Sequence, residues 1–254
     1  MHNHILSLGP FTVHGYGLMI GIGIVAALSL AWRRAEKRSI PQEKVTGLVI
    51  LVMIAGFLGA KLLFLITELP AVLRDPLPYL GSDGFVVYGG IVLGFLAVLL
   101  WCRKKQQSLG KWADLLLPGV ALAQGFGRIG CFLAGCCYGR PTASPLGVVF
   151  PADSLAPAGV SLLPTQLFSA AGDFLLAVIL LRLDRRGGKE GHLMVWYLAL
   201  YGAGRFILEF FRGDPRGAVG VLSTSQFISL FAVAGAGLLA IWRQKRSETN
   251  GTIG

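Results

Sequence analysis

Acidic side chains are scarce in this sequence, 13 Asp and Glu against 23 Lys and Arg in 254 residues, and charged residues of both signs make up only 14%. With 54% hydrophobic residues and a mean hydropathy of +0.66, that scarcity excludes an ordinary soluble domain. Histidine is equally thin, at four residues, and none lies near the cysteines in sequence. With thiols too few for a closed zinc site, no metal and no cofactor are expected. The first ten residues carry no Lys or Arg, and the first apolar run is followed by Arg33 and Arg34, not by a small-residue cleavage site. No cleavable signal peptide is therefore expected. No internal repeat is evident, which argues against a transporter built of inverted halves. The formal net charge of +10 invites a nucleic-acid reading. That reading fails because the basic residues cluster at the ends of apolar runs, which is how membrane topology is encoded.

What is abundant is long apolar sequence. Seven runs, about 15–32, 45–66, 84–102, 113–137, 164–181, 191–211 and 224–242, are long enough to cross roughly 30 Å of hydrocarbon. The connections 33–44, 103–111, 182–189 and 243–246 hold 16 of the 23 Lys and Arg, whereas the N-terminus and the loops 67–83, 138–163 and 212–223 hold four. The positive-inside rule then places the N-terminus outside and the C-terminus in the cytoplasm. Trp32, Trp101, Trp112 and Trp242 fall at the cytoplasmic ends, where an interfacial aromatic belt is expected. The pattern predicts an all-α polytopic membrane protein of seven transmembrane helices, forming one domain over 1–246. A small irregular cap is expected on the outer face at about 138–164, because that segment holds Pro141, Pro145, Pro151, Pro157 and Pro164. A polar tail, 247–254, is expected to be disordered.

Residues 124–140 interrupt this apolar background with Arg128, three cysteines and five glycines. A charge inside the membrane costs at least about 2.5 kcal/mol and marks a functional site by default. The glycines permit close approach of a helix or ligand. In the sixth run, Tyr201, Arg205, Glu209 and Arg212 are spaced to form one polar stripe rising to the outer surface. Arg205 and Glu209 also fit a structural i,i+4 ion pair. Three arginines against the single acid Glu209 leave bidentate donors in excess, and the natural partner in a membrane is a lipid phosphate. Cys131, Cys136 and Cys137 are predicted near the outer face, where they read as small packing residues or as a disulfide from Cys131 to Cys136 or Cys137. Lys61 reads as a phosphate ligand or as the neutraliser of Asp173 or Glu209, and Asp173 as the partner of a neighbouring helix. His14 is the one histidine placed to act as a base, while His2, His4 and His192 read as incidental.

The run Gly127-Arg128-Ile129-Gly130-x-Phe132-x-x-Gly135-x-x-Tyr138-Gly139-Arg140 resembles the signature of bacterial prolipoprotein diacylglyceryl transferases. Tyr201-Gly-x-x-Arg205-Phe-Ile-x-Glu209-Phe-Phe-Arg212 resembles it too, as do Tyr16-Gly17-Leu18-Met19, Gly59-Ala60-Lys61, Tyr88-Gly89-Gly90, Pro164-Thr-Gln166-Leu167 and Gln226 with Ser229. The resemblance implies a multi-pass enzyme of the bacterial inner membrane, acting on phosphatidylglycerol and prolipoprotein signal peptides. It would move the diacylglyceryl group onto the lipobox cysteine thiol and release glycerol phosphate. Catalytic roles then fall to Arg128, Arg205, Tyr88 and Glu209. Substrate contacts fall to Tyr16, Gly89, Gly90, Lys61, Cys131, Gly139, Arg140, Tyr201, Arg212 and Gln166. Three positions depart from the family pattern as it usually stands: Tyr88 for a histidine, Cys131 for an asparagine and Cys136 for a glutamate. They leave open a divergent member acting as a membrane thiol-dependent enzyme, and the arginines leave open a lipid- or anion-binding transporter. The sequence sets no oligomeric state.

Overall fold

The computed structural model describes residues 4–8, 11–81, 84–215 and 217–251. His2 and residues 252–254 of the expected tail lie outside them. A hairpin of β1 (His4–Leu8) and β2 (Phe11–His14) leads into α1 (Gly15–Glu36) and α2 (Gln42–Thr67). Short helices α3 (Leu69–Val72) and α4 (Pro76–Gly81) precede α5 (Val87–Lys104) and α6 (Leu109–Ala134). A strand pair, β3 (Val148–Val149) and β4 (Ser161–Leu162), is followed by α7 (Thr165–Arg185) and α8 (His192–Leu208). A 3-10 turn (Glu209–Phe211) and the pair β5 (Ala218–Val219) and β6 (Leu222–Ser223) lead to α9 (Thr224–Gly251).

Seven of these helices, α1, α2, α5, α6, α7, α8 and α9, are long and apolar enough to span a bilayer. The fold is an all-α, multi-pass membrane architecture. Its burial pattern fits lipid as the surrounding solvent. Phe57, Phe95 and Leu238 are exposed, whereas Gln166, Asp173, Glu209 and Ser229 are buried. Helices that gain little hydrophobic energy from association must instead pack closely and pair their polar groups.

Two compact units divide the chain, Met1–Leu30 with Ala113–Gly254, and Ala31–Trp112. In the second, α2 and α5 cross at facing glycines. A Cβ on Gly59 would stand 2.4 Å from the Gly89 carbonyl oxygen, and one on Gly89 would stand 2.2 Å from the Gly59 oxygen. Only hydrogen fits at either position. The tryptophans expected as a belt divide: Trp112 is 1% exposed, packed edge-on against Trp101 at 4.8 Å. Trp32 donates its indole N–H to Thr46 Oγ1 at 2.9 Å, and Trp242 is exposed. Packing of the two indoles across the short 105–108 turn takes Trp112 out of any interface.

In the larger unit, α1 lies against α6 through small residues. A Cβ on Gly23 would meet Ala123 at 3.1 Å, and one on Gly119 would meet Ala27 at 3.0 Å. Leu176, Ala177 and Leu180 of α7 join Ala121 of α6 and Leu193 of α8 in a buried cluster. Residues 138–164 have a small core of their own, Phe150, Ala156 and Leu162, against which Phe132, Tyr138 and Val148 pack.

Candidate active site

Helix α6 stops at Ala134 because Gly135 takes φ +74°, the left-handed turn that commonly closes a helix. Cys137 follows at φ +59°, which is rare for a residue with a side chain. The chain then becomes a strap, 136–140, held on both edges. On one side Gln166 Nε2 donates to the Cys136 carbonyl at 2.7 Å and Thr165 Oγ1 to the Cys137 carbonyl at 2.9 Å. The Gly139 N–H donates to the Leu163 carbonyl at 2.9 Å. On the other side the Arg140 N–H donates to the Phe211 carbonyl at 2.9 Å, and the Gly213 N–H donates to the Tyr138 carbonyl at 3.1 Å. A Cβ on Gly139 would stand 2.6 Å from Leu163, so this residue makes room for the strap. Gln166, a substrate-binding candidate, is fully buried with its N–H engaged here, while its Oε1 has no partner.

The arginines surround that strap. Arg128, on α6 one turn before Cys131, has Tyr201, Cys131, Cys137 and Asp173 as its electrostatic neighbours. Among the described residues no carboxylate lies within ion-pairing distance of it. Arg205 stands 2.9 Å from Glu209 Oε2, off the angle of a good hydrogen bond, so the contact is mainly Coulombic. It also donates to Ser225 Oγ at 2.8 Å, and the fields of Arg128 and Arg212 both reach it. The i,i+4 pair expected from the sequence is therefore present, and Glu209 is only 3% exposed.

The stripe itself needs correction at its far end. Helix α8 ends at Leu208, and by Arg212 the backbone is extended, pairing with Gly139. Arg212 instead meets Asp214, with Nε donating to Oδ1 at 2.9 Å. Glu209 is thus not the single acid among three arginines. Gly213 and Pro215, which follow, are the helix-stop signals that explain the departure.

Between α7 and α8 lies a cavity of about 250 Å³, lined at its polar end by Asp173, Tyr201 and Arg205 and elsewhere by Phe168, Leu176 and Leu208. Tyr201 stacks on Tyr197, with ring centroids 5.5 Å apart. Asp173 is buried, and its Oδ2 has no hydrogen-bond partner. Tyr16 begins α1 beside Gly130, where a Cβ would stand 3.1 Å from its ring, and it shares the electrostatic neighbourhood of Arg128 and the three cysteines. Arg140 is exposed.

All four cysteines are free, so neither expected disulfide is present. The Sγ atoms of Cys131, Cys136 and Cys137 all lie within 4.8 Å of one another. Hydrogen bonds from the Cys131 and Cys136 thiols hold the Cys137 thiol below its ordinary range, aided by the charges of Arg212 and Arg128. Hydrogen bonding with Cys131 and Cys137, together with burial, pushes the Cys136 thiol up.

In the smaller unit, Gly89 and Gly90, expected at the substrate, lie on the helix-crossing face; a Cβ on Gly90 would stand 2.7 Å from the Gly56 carbonyl oxygen. The Lys61 ammonium sits 5.1 Å from the ring centres of both Phe64 and Phe85. Tyr88, in the first turn of α5, is 38% exposed.

Two helix caps and one arginine partner were not read from the sequence. Asp114 accepts hydrogen bonds from the Gly191 and Leu193 N–H groups at 2.6 and 2.9 Å, capping α8 from α6. Ser223 and Gln226 bond reciprocally at 3.1 Å in each direction, a capping box for α9 that Ser-x-x-Gln spells out in sequence. Ser225, the hydroxyl that holds Arg205, carried no such signal.

A seven-span membrane protein with a guanidinium at the polar end of a largely apolar cavity has the chemistry to hold an anionic amphiphile. The sequence matches the family model described as prolipoprotein diacylglyceryl transferase over residues 3–242. The chain belongs to the prolipoprotein diacylglyceryl transferase family. It is 49% identical over 229 residues to a phosphatidylglycerol–prolipoprotein diacylglyceryl transferase 2 of Clostridium perfringens, covering 89% of this chain and 90% of that one. Identity to the Clostridium tetani enzyme named phosphatidylglycerol–prolipoprotein diacylglyceryl transferase is 49% over 231 residues, covering 90% and 92%. The similarly named Cutibacterium acnes protein is 35% identical over 249 residues, covering 94% and 84%.

Proposed function

We propose that this chain transfers the diacylglyceryl group of phosphatidylglycerol to the lipobox cysteine thiol of prolipoproteins, releasing glycerol phosphate, in the bacterial inner membrane. The observation that carries the reading is Arg205 at the polar end of the cavity between α7 and α8, with the charge of Arg128 reaching it. A lipid whose acyl chains lie along Phe168, Leu176 and Leu208 brings its phosphate to the guanidinium end of that cavity. With the N-terminus outside, this end faces the outer leaflet.

The chemistry is displacement of phosphate from carbon by sulfur. A thiol of unperturbed pKa near 8.5 is a few per cent thiolate at neutral pH and strongly nucleophilic. The harder demand is charge collecting on the departing phosphate. Arg128 and Arg205 act there, each contributing about 3–4 kcal/mol by analogy with oxyanion-hole donors. Glu209 fixes Arg205 from below and Ser225 fixes it from the side, while Tyr201 offers its hydroxyl to the head group. Tyr16 and Arg140 serve the substrate head groups, and Arg212 with Asp214 positions the strap. Gln166 and Gly139 act through that strap. Lys61, Gly89 and Gly90 shape the other unit.

Tyr88 serves as a hydrogen-bond donor and not as the base. Tyr88→Phe is accordingly expected to lower turnover by less than about tenfold, below the usual contribution of a general base. The direct test incubates purified protein with phosphatidylglycerol and a lipobox peptide. The expected result is a peptide heavier by one diacylglyceryl unit together with free glycerol phosphate. An unmodified peptide, or glycerol phosphate released without it, would overturn the reading.

A further inference from the structure

Three thiols meet at the end of α6. We propose that Cys131, Cys136 and Cys137 are three ligands of a site for one thiophilic metal ion of the zinc class, whose fourth position takes the acceptor thiol. The second half of that statement rests on the transferase function proposed above.

Geometry carries the site. Zinc bound tetrahedrally by thiolates at about 2.3 Å requires sulfurs roughly 3.8 Å apart. The three Sγ atoms already lie within 4.8 Å of one another, so closure asks for about 1 Å of movement per pair at most. A disulfide would use two of these thiols and strand the third. Three converging thiolates are instead the protein share of an open zinc site, which keeps its fourth position for water or substrate. Counted along the sequence the thiols are too few for a closed site; an open one needs no more.

The convergence is held by the backbone. Cys131 stands on the last turn of α6, and Gly135 and Cys137, both at positive φ, turn the chain so that 136 and 137 come back towards it. The Cys136 N–H closes on the Cys131 carbonyl at 3.1 Å. Thr165 and Gln166 then lock the two cysteine carbonyls. A non-glycine residue in the left-handed region persists where its surroundings over-determine it. Charge fits as well: three thiolates on a dication leave one net negative charge, and the guanidinium groups of Arg128 and Arg212 act on this cluster. Sulfur ligands without carboxylate or imidazole select a soft-accepting ion over Mg²⁺ or Ca²⁺.

A thiol that enters the fourth position loses its proton to water and stays as a metal-bound thiolate. Its sulfur lone pair then forms the C–S bond to the glyceryl carbon as the C–O bond to phosphate breaks. The electron pair of that bond leaves on the phosphate oxygen of glycerol phosphate, and the thioether, a weaker ligand, departs. No oxidant or reductant is involved.

Purified, reduced, chelator-stripped protein titrated with Co²⁺ tests the site. The expected result is saturation at one ion per chain, with a thiolate-to-cobalt charge-transfer band and tetrahedral visible bands. Cys131→Ser, Cys136→Ser and Cys137→Ser should each lose the stoichiometric site, whereas Cys102→Ser, buried elsewhere, should keep it. A lipobox peptide should shift the visible bands of the unmutated protein, and its Cys→Ser analogue should not. This measurement does not depend on the variants folding. Absence of a saturable site, a band that survives the triple substitution, or visible bands indifferent to the peptide would overturn the proposal. Peptide-dependent bands in a protein that transfers no diacylglyceryl group would keep the site and refute the transferase. Full turnover by the stripped protein would refute the thiol-activating role and leave the transferase intact.

Discussion

Arg205 shows how a partly buried cation is made useful. Glu209 neutralises it on one side and Ser225 fixes it on another, so its planar donors are aimed before any lipid arrives. A lysine keeps the charge and loses that aim. Arg205→Lys and Arg128→Ala are therefore each expected to lower turnover by about 10²–10³-fold, the usual cost of one transition-state donor, in protein that still inserts. Turnover on phosphatidylglycerol with a lipobox peptide, set beside a blot of membrane fractions, checks this. At the neighbouring thiols the two shifts have opposite signs. Cys137, held low, is ionised below the usual thiol range, while Cys136, pushed high, stays protonated above it. In metal-free protein at pH 7, iodoacetamide followed by peptide mass spectrometry should label Cys137 first and leave Cys136 unmodified.

At the scale of elements, the α2–α5 crossing makes a sharp prediction because its glycines face carbonyl oxygens, not flexible side chains. Gly89→Ala forces the helices apart and should cost about 1–3 kcal/mol, seen as a lower Tm in detergent. Gly47→Ala, on the same α2 with nothing within 4 Å of the added methyl, should cause no loss. The helices themselves were readable because length and hydropathy alone define a span, and all seven stand where the apolar runs predicted. The Arg205–Glu209 pair was readable too, since i,i+4 spacing is local. Arg212 was misplaced because the stripe was continued through a helix end, although Gly213 and Pro215 announced it. The strap was not legible at all: Gly139 pairs with Arg212 across 73 positions, and a left-handed Cys137 has no sequence signature. Gly89 and Gly90 mark a close approach that the structure fills with α2, a detail that glycine alone does not spell out in sequence.

For the whole molecule, the uneven placement of Lys and Arg predicts its orientation. In a variant lacking the native cysteines, Ala143→Cys should react with a membrane-impermeant maleimide in intact cells, and Glu190→Cys only after permeabilisation. The reverse pattern would place the arginine cluster at the cytoplasmic leaflet and require a different lipid supply. Burial agrees with a lipid environment at this scale, polar residues inside and large apolar ones outside.

The strap has one further consequence. Its partners on the two edges come from residues 163–166 and 211–213, so the second edge closes only after α8 has been made. A nascent chain halted in the fifth span already carries Arg128 and every cysteine, yet it lacks Arg205, Arg212 and the 211–213 edge of the strap. Assembly order thus acts as a safeguard: a half-synthesised polypeptide cannot yet present a lipid phosphate to an acceptor thiol, and competence arrives only near the end of translation.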